Sequence, residues 1–173
     1  MGLDMYLTKT KKVEGFNVDD YIKVDNTISN IDTNEINLEK ETGLQNANEL
    51  LDQIKLRGEH IHWYSIFSEV GYWRKANQIH KWFVDNVQNG IDNCESYIVT
   101  KEKLEELLHI TNEVLNEKNL CEKLLPSQSG FFFGSNEYDE YYFGDLKQTK
   151  KIIEKVLKET NFETEVIFYY SSW

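Results

Sequence analysis

Cysteine and proline are scarce in this chain of 173 residues, which has two cysteines, Cys94 and Cys121, and a single proline, Pro126. Two cysteines are too few for a disulfide framework, and neither follows a nucleophile signature. The chain also lacks the long uncharged apolar run that crosses a membrane. These absences predict a cytoplasmic protein in a reducing compartment, with no membrane partner.

Basic residues are also in short supply. The chain has 19 lysines and arginines against 30 aspartates and glutamates, for a formal net charge of −11. The segment Glu14–Glu59 alone carries 11 acidic and 4 basic residues. Because phosphates repel such a surface, direct nucleic-acid binding is not expected. A basic protein surface is the electrostatically favoured partner.

Apolar material is plentiful, since 40% of the residues are hydrophobic and 13% are aromatic. A chain of this size and composition can bury a core without disulfides or metal. It contains no internal repeat, linker or cofactor-binding motif. We predict a single domain over residues 1–173 and no cofactor.

Two patterns predict strands at the ends of the chain. Met1–Leu7 alternates apolar and polar residues, which is typical of a strand with one buried face. Val166–Tyr170 is apolar on both faces, as expected of a central strand. Aromatic enrichment also favours a strand over Ile61–Ser68 and short strands in the cluster between Phe131 and Phe143.

Helical spacing of apolar residues predicts helices over Ala47–Arg57, over Glu69–Gln88, from Thr100 to about Lys118, and after a capping box formed by Asp145 and Gln148. Residues 13–48 keep no period and predict an acidic loop or insertion. The fold class is therefore α+β, with about four helices packed on a small mixed or antiparallel sheet that includes both terminal strands.

The predicted central helix places Asn77 and His80 together on its buried face. His80 could act as a general base oriented by Asn77, with Arg74 and Lys81 beside it to hold an anion. The alternative is a core histidine whose nitrogens bond to a tyrosine or a carbonyl. We favour the alternative, since the sequence offers no second catalytic group.

Trp82 lies on the opposite side of the same predicted helix. An exposed tryptophan among hydrogen-bonding side chains is typical of an interface hot spot. A helix packed between two layers would bury the same residue. The sequence leaves both alternatives open.

A short segment combines carboxylates and aromatic rings without a basic residue: Glu137, Tyr138, Asp139, Glu140 and Tyr141. Such a patch can bind a basic protein surface. The alternative is a solvated turn whose tyrosines cover the core with their rings. The first alternative makes these residues candidates for a binding site.

His60 and His62 would lie on one face of a strand, where His80 or a carboxylate could complete a zinc site. The spacing permits a metal site but no zinc-binding motif supports one. Two surface histidines are the favoured interpretation, and we predict no metal.

Four stretches carry a family resemblance: MGLDMYL at Met1–Leu7, YWRKANQIHKWFV at Tyr72–Val84, FFFGS at Phe131–Ser135 and SSW at Ser171–Trp173. They resemble a group of small uncharacterised phage and prophage proteins. The resemblance implies a compact accessory protein of a mobile element, for which counter-defence or takeover of a host enzyme is an ordinary function. It brings no activity with it.

Three hypotheses follow for function. The first is a stoichiometric, anti-CRISPR-like inhibitor whose carboxylates replace phosphates on a basic nucleic-acid-binding surface of a host or defence protein. The second is a small enzyme or ligand-binding protein with a site around Arg74, Asn77 and His80. The third is a structural homodimer formed through Trp82 or the final strand.

Overall fold

The structure is a computed structural model that describes residues 2–29, 36–57 and 63–173. The chain folds as two compact units. One unit consists of Met1–Leu7, Glu69–Thr160 and Ile167–Trp173. The other consists of Thr8–Ser68 and Asn161–Val166.

The described residues form six strands, six α-helices and two 3₁₀ helices. The strands are β1 (Asp4–Lys11), β2 (Lys55–Arg57), β3 (Trp63–Ser65), β4 (Ser68–Arg74), β5 (Tyr97–Val99) and β6 (Glu165–Ser172). The α-helices are α1 (Val18–Ile28), α2 (Leu38–Thr42), α3 (Asn77–Asn86), α4 (Lys101–Asn116), α5 (Cys121–Leu124) and α6 (Glu140–Glu159). The 3₁₀ helices are Ala47–Gln53 and Lys118–Leu120.

Four strands form one antiparallel sheet in the order β4-β1-β6-β5. In its β5–β6 pair, Ile98 stands opposite Phe168. The strands β2 and β3 form a separate antiparallel pair. The predicted α+β class, with both terminal strands in one sheet, is confirmed, whereas the prediction of about four helices is too low. No helix in the described ranges is long and apolar enough to cross a membrane.

The two terminal strands match their hydrophobic patterns. Leu3, Met5 and Leu7 are fully buried, which confirms the alternation, although β1 begins at Asp4 and runs on to Lys11. Strand β6 lies between β1 and β5 and buries three consecutive residues from Ile167 to Tyr169. Both faces of β6 are therefore covered, as its continuous apolar run predicts.

The predicted helix over Glu69–Gln88 is wrong in its first part, because residues 68–74 form β4 and α3 begins only at Asn77. Pairing with the neighbouring strand overrides the helical spacing: the Lys75 amide donates to the Leu3 carbonyl at 2.7 Å. Lys75 then takes a left-handed conformation, with φ of 60°, that ends the strand and turns the chain into α3.

The loop predicted for residues 13–48 is wrong where the structure describes it, since α1 and α2 lie there. Asn17 and Asp20 form a capping box at the start of α1, each side chain accepting from the other's backbone amide. Gly43, with φ of 71°, ends α2. Helix α1 buries Tyr21, Val24 and Ile28, which recur at helical spacing, and its capping box is a second local signal. The prediction of a loop overlooked both signals.

Three further predictions need correction. The helix predicted for Ala47–Arg57 is the 3₁₀ helix Ala47–Gln53 followed by β2. The aromatic cluster between Phe131 and Phe143 forms no strand, because α6 already begins at Glu140. The capping box predicted at Asp145 is also wrong, since Asp145 lies inside α6. The true N-cap is Asp139, whose carboxylate accepts from the amides of Tyr141 and Tyr142. Of the strand predicted for Ile61–Ser68, only residues from Trp63 onward are described, as β3 and the start of β4.

Close packing of α6 on β4 depends on a glycine. A Cβ atom placed on Gly71 would lie 2.6 Å from Ile152 Cγ2, well inside van der Waals contact. Two residues along β4, the Trp73 indole donates to Thr149 Oγ1 at 2.9 Å. Helix and strand therefore approach to within the space that only a glycine leaves.

We expect Gly71→Ala to lower the free energy of unfolding by about 1–3 kcal/mol, since the added methyl group overpacks this contact. Gly144→Ala is the matched control, because Gly144 lies in α6 with open space around it. That control should raise stability by about 0.5–1 kcal/mol through helix propensity. Urea unfolding measures both, and equal effects of the two substitutions would contradict the packing argument.

Candidate functional site

Helix α3 is buried around almost its whole circumference. Seven of its ten residues are buried, and three of them are polar: Asn77, Gln78 and His80. Buried polar groups are costly without hydrogen-bond partners. The partners of these three side chains therefore show what α3 holds in place.

Asn77 anchors the loop that precedes α6. Its side-chain amide donates to the carbonyl oxygens of Phe133 and Ser135 at 3.3 and 2.8 Å, and its Oδ1 accepts from the Gln128 amide at 2.9 Å. All these partners lie in the loop. Asn77 therefore does not orient His80, as the predicted catalytic pair requires.

His80 is fully buried with both ring nitrogens engaged. Nε2 lies 3.0 Å from Asp92 Oδ2, and Nδ1 lies 2.7 Å from the Tyr169 hydroxyl. A carboxylate can only accept, so Nε2 carries the proton and the tyrosine hydroxyl donates to Nδ1. The Trp173 indole donates to Asp92 Oδ1 at 3.0 Å and extends the chain of hydrogen bonds.

Burial lowers the pKa of His80, and the hydrogen bond and charge of Asp92 oppose this shift only in part. Burial also raises the pKa of Tyr169 well above its ordinary value. Both groups are therefore neutral at physiological pH. The arrangement is that of a satisfied core histidine, whose ring the described residues cover completely.

Trp82, the predicted interface hot spot, is only 5% exposed. Its ring packs edge-on against Phe83, with the centroids 5.3 Å apart. Of the two alternatives that the sequence leaves open, the structure shows the covered one. In this conformation Trp82 cannot contact a partner.

The acidic-aromatic segment is a loop, residues 131–139, that leads into the first turn of α6. Phe131 and Tyr141 are each 83% exposed, and Glu137 and Glu140 are also exposed. Asp139 is exposed too, but its carboxylate caps α6. We call residues 131–141, which comprise this loop and the first two residues of α6, the acidic-aromatic loop.

The rest of the loop is tied to the core. Phe133 is buried, and its ring packs edge-on against the His80 ring, with the two ring centroids 5.3 Å apart. Tyr138 is half-buried, and its hydroxyl accepts from the Ser127 amide at 3.3 Å. The loop therefore presents Phe131 and Tyr141 from an anchored backbone.

Beside the acidic-aromatic loop lies a cleft of about 340 Å³. The charged side chains that line it are Arg74, Lys75, Glu137, Asp139 and Asp145. Local sequence pattern places no cation near the acidic loop, because Arg74 and Lys75 are distant in the sequence. Only the packing of α6 on β4 brings the two groups together.

Asp145 is the least solvated charge in this cleft. Burial raises its pKa, which a hydrogen bond from the Gln78 side chain, at 3.3 Å, opposes. The charge of nearby Asp139 raises it further. A cation brought into the cleft would therefore be favoured electrostatically near this carboxylate.

The two remaining sequence candidates for a metal site, His60 and His62, lie outside the described residues. Within the described ranges, no group of three or more histidine, cysteine, aspartate or glutamate side chains is placed to hold a metal ion. The cleft differs from a metal centre in that its five charged side chains carry both signs.

Comparison with known proteins returned no similar family model, no similar curated protein and no similar solved structure.

We expect Asn77→Ala to speed amide hydrogen exchange at Gln128, because the amide loses its buried acceptor. The loss of all three contacts should cost about 1–3 kcal/mol of stability. Asn86→Ala is the control, since the side chain of Asn86 donates to the Trp82 carbonyl within α3 and bonds to none of the loop residues that Asn77 holds. Unchanged exchange at Gln128 in the Asn77 variant would mean that the loop holds its conformation without this anchor.

We expect acid to destabilise the protein through His80. Below about pH 6.5 the unfolded chain takes up a proton at this histidine that the folded state, with its lowered pKa, does not. The stabilisation is fully present above that pH and is lost as the pH falls toward the folded pKa. Urea unfolding at several pH values between about 5 and 7.5 gives the free energy of unfolding as a function of pH. This free energy should change less steeply with pH for His80→Gln than for the wild type.

His109→Gln is the control for that measurement, since His109 lies on the exposed side of α4. This variant should change the pH dependence less than His80→Gln does, because it removes no buried side chain. A His80→Gln protein with the wild-type slope would show that another group causes the acid sensitivity.

Proposed function

We propose that this protein acts by stoichiometric binding to another protein, and that the acidic-aromatic loop is its contact surface. The observation that supports this most directly is the exposure of Phe131 and Tyr141, each 83% accessible, beside the exposed carboxylates of Glu137 and Glu140. Aromatic side chains are enriched at protein interfaces, and most large rings of a folded monomer are buried. Exposed rings among carboxylates favour a partner with basic and apolar contact groups.

The anchored backbone supports the same proposal. Binding costs less free energy when the contact loop is already ordered. Asn77 and the buried ring of Phe133 hold this loop before any partner arrives. Phe131 and Tyr141 can therefore dock without ordering the backbone.

The charge of the loop favours a basic partner surface. Within the part of the chain that the structure describes, Glu137, Asp139 and Glu140 form no ion pair. Together with the net charge of −11, they create a field that attracts lysine and arginine clusters. Proteins that handle nucleic acids carry such clusters.

The biological setting that we propose follows from the phage resemblance. The protein would be an accessory protein of a mobile element that inhibits a nucleic-acid-dependent defence enzyme of its host, in an anti-CRISPR-like manner. Its carboxylates would occupy a surface that otherwise binds phosphates. The same resemblance is the basis for placing it in the host cytoplasm.

The alternative of a site around Arg74, Asn77 and His80 has less support. The polar side-chain atoms of His80 and Asn77 already have hydrogen-bond partners within the protein, and of the three residues only Arg74 lines the cleft. Self-association through Trp82 or the final strand is also less favoured, because Trp82 is buried and β6 has a neighbour on both sides. Light scattering tests for a homodimer formed by another surface.

The proposal predicts that Glu137→Gln/Glu140→Gln weakens partner binding by about tenfold, since each lost charge at an interface costs about 0.5–1 kcal/mol. The partner is first captured from host lysate at low and high salt, identified by mass spectrometry and purified. Affinity is then measured by calorimetry, with and without competing duplex DNA.

Glu154→Gln/Glu159→Gln is the matched control, because both residues are exposed in α6 and the net charge changes equally. This pair should leave the affinity unchanged. Equal weakening by the two double variants would show a general charge effect and contradict a local contact surface. A partner that binds the protein and duplex DNA at the same time would contradict inhibition by occupation.

A further inference from the structure

Two cations that are adjacent in the sequence, Arg74 and Lys75, line the cleft beside the acidic-aromatic loop. A Cβ atom placed on Gly2 would lie 3.5 Å from Lys75 Cε and 3.9 Å from Arg74 Nη2. Both side chains therefore pass close to Gly2, and both also line the cleft. Two neighbouring cations of this kind can share a single carboxylate.

Carboxylates line the same cleft. Asp145 lies there, half-buried, with its Oδ2 held by the amide of Gln78. Glu137 and Asp139 line the cleft as well. Gln78 is itself only 2% exposed, so the position of the Asp145 carboxylate is supported from beneath by a fixed group.

Charges of opposite sign line this cleft without neutralising one another. Among the described residues, neither Arg74 nor Lys75 forms an ion pair with Glu137, Asp139 or Asp145. Long side chains on a protein surface readily pair when they can reach one another. Separated charges facing one open space match a ligand that carries a charge of each sign.

The backbone at Lys75 supports a function for this cation. A lysine with φ of 60° is strained relative to an ordinary backbone conformation, because its Cβ atom crowds the carbonyl oxygen that follows. Glycine would relieve the strain at no steric cost. Strained residues that persist in folded proteins cluster at binding sites. A function of the lysine's positive charge would explain why lysine, and not glycine, occupies this strained position.

We propose that the cleft binds a small zwitterion of the size of a short peptide or an ω-amino acid, with its carboxylate at Arg74 and Lys75 and its ammonium group at Asp145. The volume of about 340 Å³ lies at the lower end of the range for small-molecule pockets. The exposed ring of Tyr141 forms a wall against which the ligand's methylene groups pack. Binding at this site does not require the protein partner.

The probes are 6-aminohexanoate and glycylglycine, added to the full-length ¹⁵N-labelled protein. Hexanoate and hexylamine are the matched controls, because each keeps one charge of the zwitterion. We expect a zwitterion to shift the amides of residues 74–78 and 134–145 and to bind about tenfold more tightly than either control, the contribution of one charge-assisted hydrogen bond. Failure of both zwitterions to bind at millimolar concentration would overturn the proposal, as would equal binding of either control.

Three variants localise the site. Arg74→Gln and Asp145→Asn should each weaken zwitterion binding by about tenfold and leave binding of the control that lacks the matching charge unchanged. Lys75→Gly should weaken binding without lowering the unfolding temperature, because it relieves strain. Lys147→Gln, an exposed position of α6 away from the cleft, should have no effect. Zwitterion binding that survives all three cleft substitutions would overturn the assignment.

Discussion

The burial of α3 is the constraint on which the rest of this structure depends. A helix that is covered on nearly every side cannot leave its polar side chains to water. Asn77 therefore fixes the loop before α6, and His80 fixes the final strand through Tyr169. A stack of Phe83 on Tyr169, with ring centroids 3.9 Å apart, adds an apolar contact to the same strand. The polar residues that the sequence marks as candidate chemistry thus serve to hold other segments in place.

The surface features follow from that scaffold. With Phe133 held against His80, the two residues that precede it, Phe131 and Phe132, are left exposed, and Phe131 is the more exposed of the two. With α6 packed closely on β4 at Gly71, the last residues of β4 face the carboxylates at the start of α6. The acidic-aromatic loop, proposed to contact a protein, and the cleft, proposed to bind a small molecule, are therefore adjacent. Occupation of one would alter the electrostatics of the other, since Glu137 belongs to both.

Much of the fold could be predicted from local pattern. Both terminal strands and α4, capped by Thr100, follow directly from alternation or helical spacing. A long-range contact decided the outcome in β4, whose helical spacing yields to pairing with β1, whereas α1 and the start of α6 were missed although their caps, Asn17 and Asp139, are local signals. The sequence names Arg74 and the carboxylates of Glu137 and Asp139 as separate candidates, whereas it marks Asp145 only as a helix cap and does not show that these groups line one cleft. No local signal brings Arg74 to a segment more than sixty residues further along the chain.

The left-handed backbone of Lys75 also has a consequence for how this chain can evolve. Any residue with a β-carbon at that position has a strained backbone. Most random substitutions there would keep this strain and lose the positive charge. Drift in a lineage that no longer needs the cation should therefore run toward glycine or asparagine, the residues most at ease in this conformation. If a related sequence retains lysine or arginine at this turn while neighbouring surface positions diverge, that retention indicates selection for the positive charge.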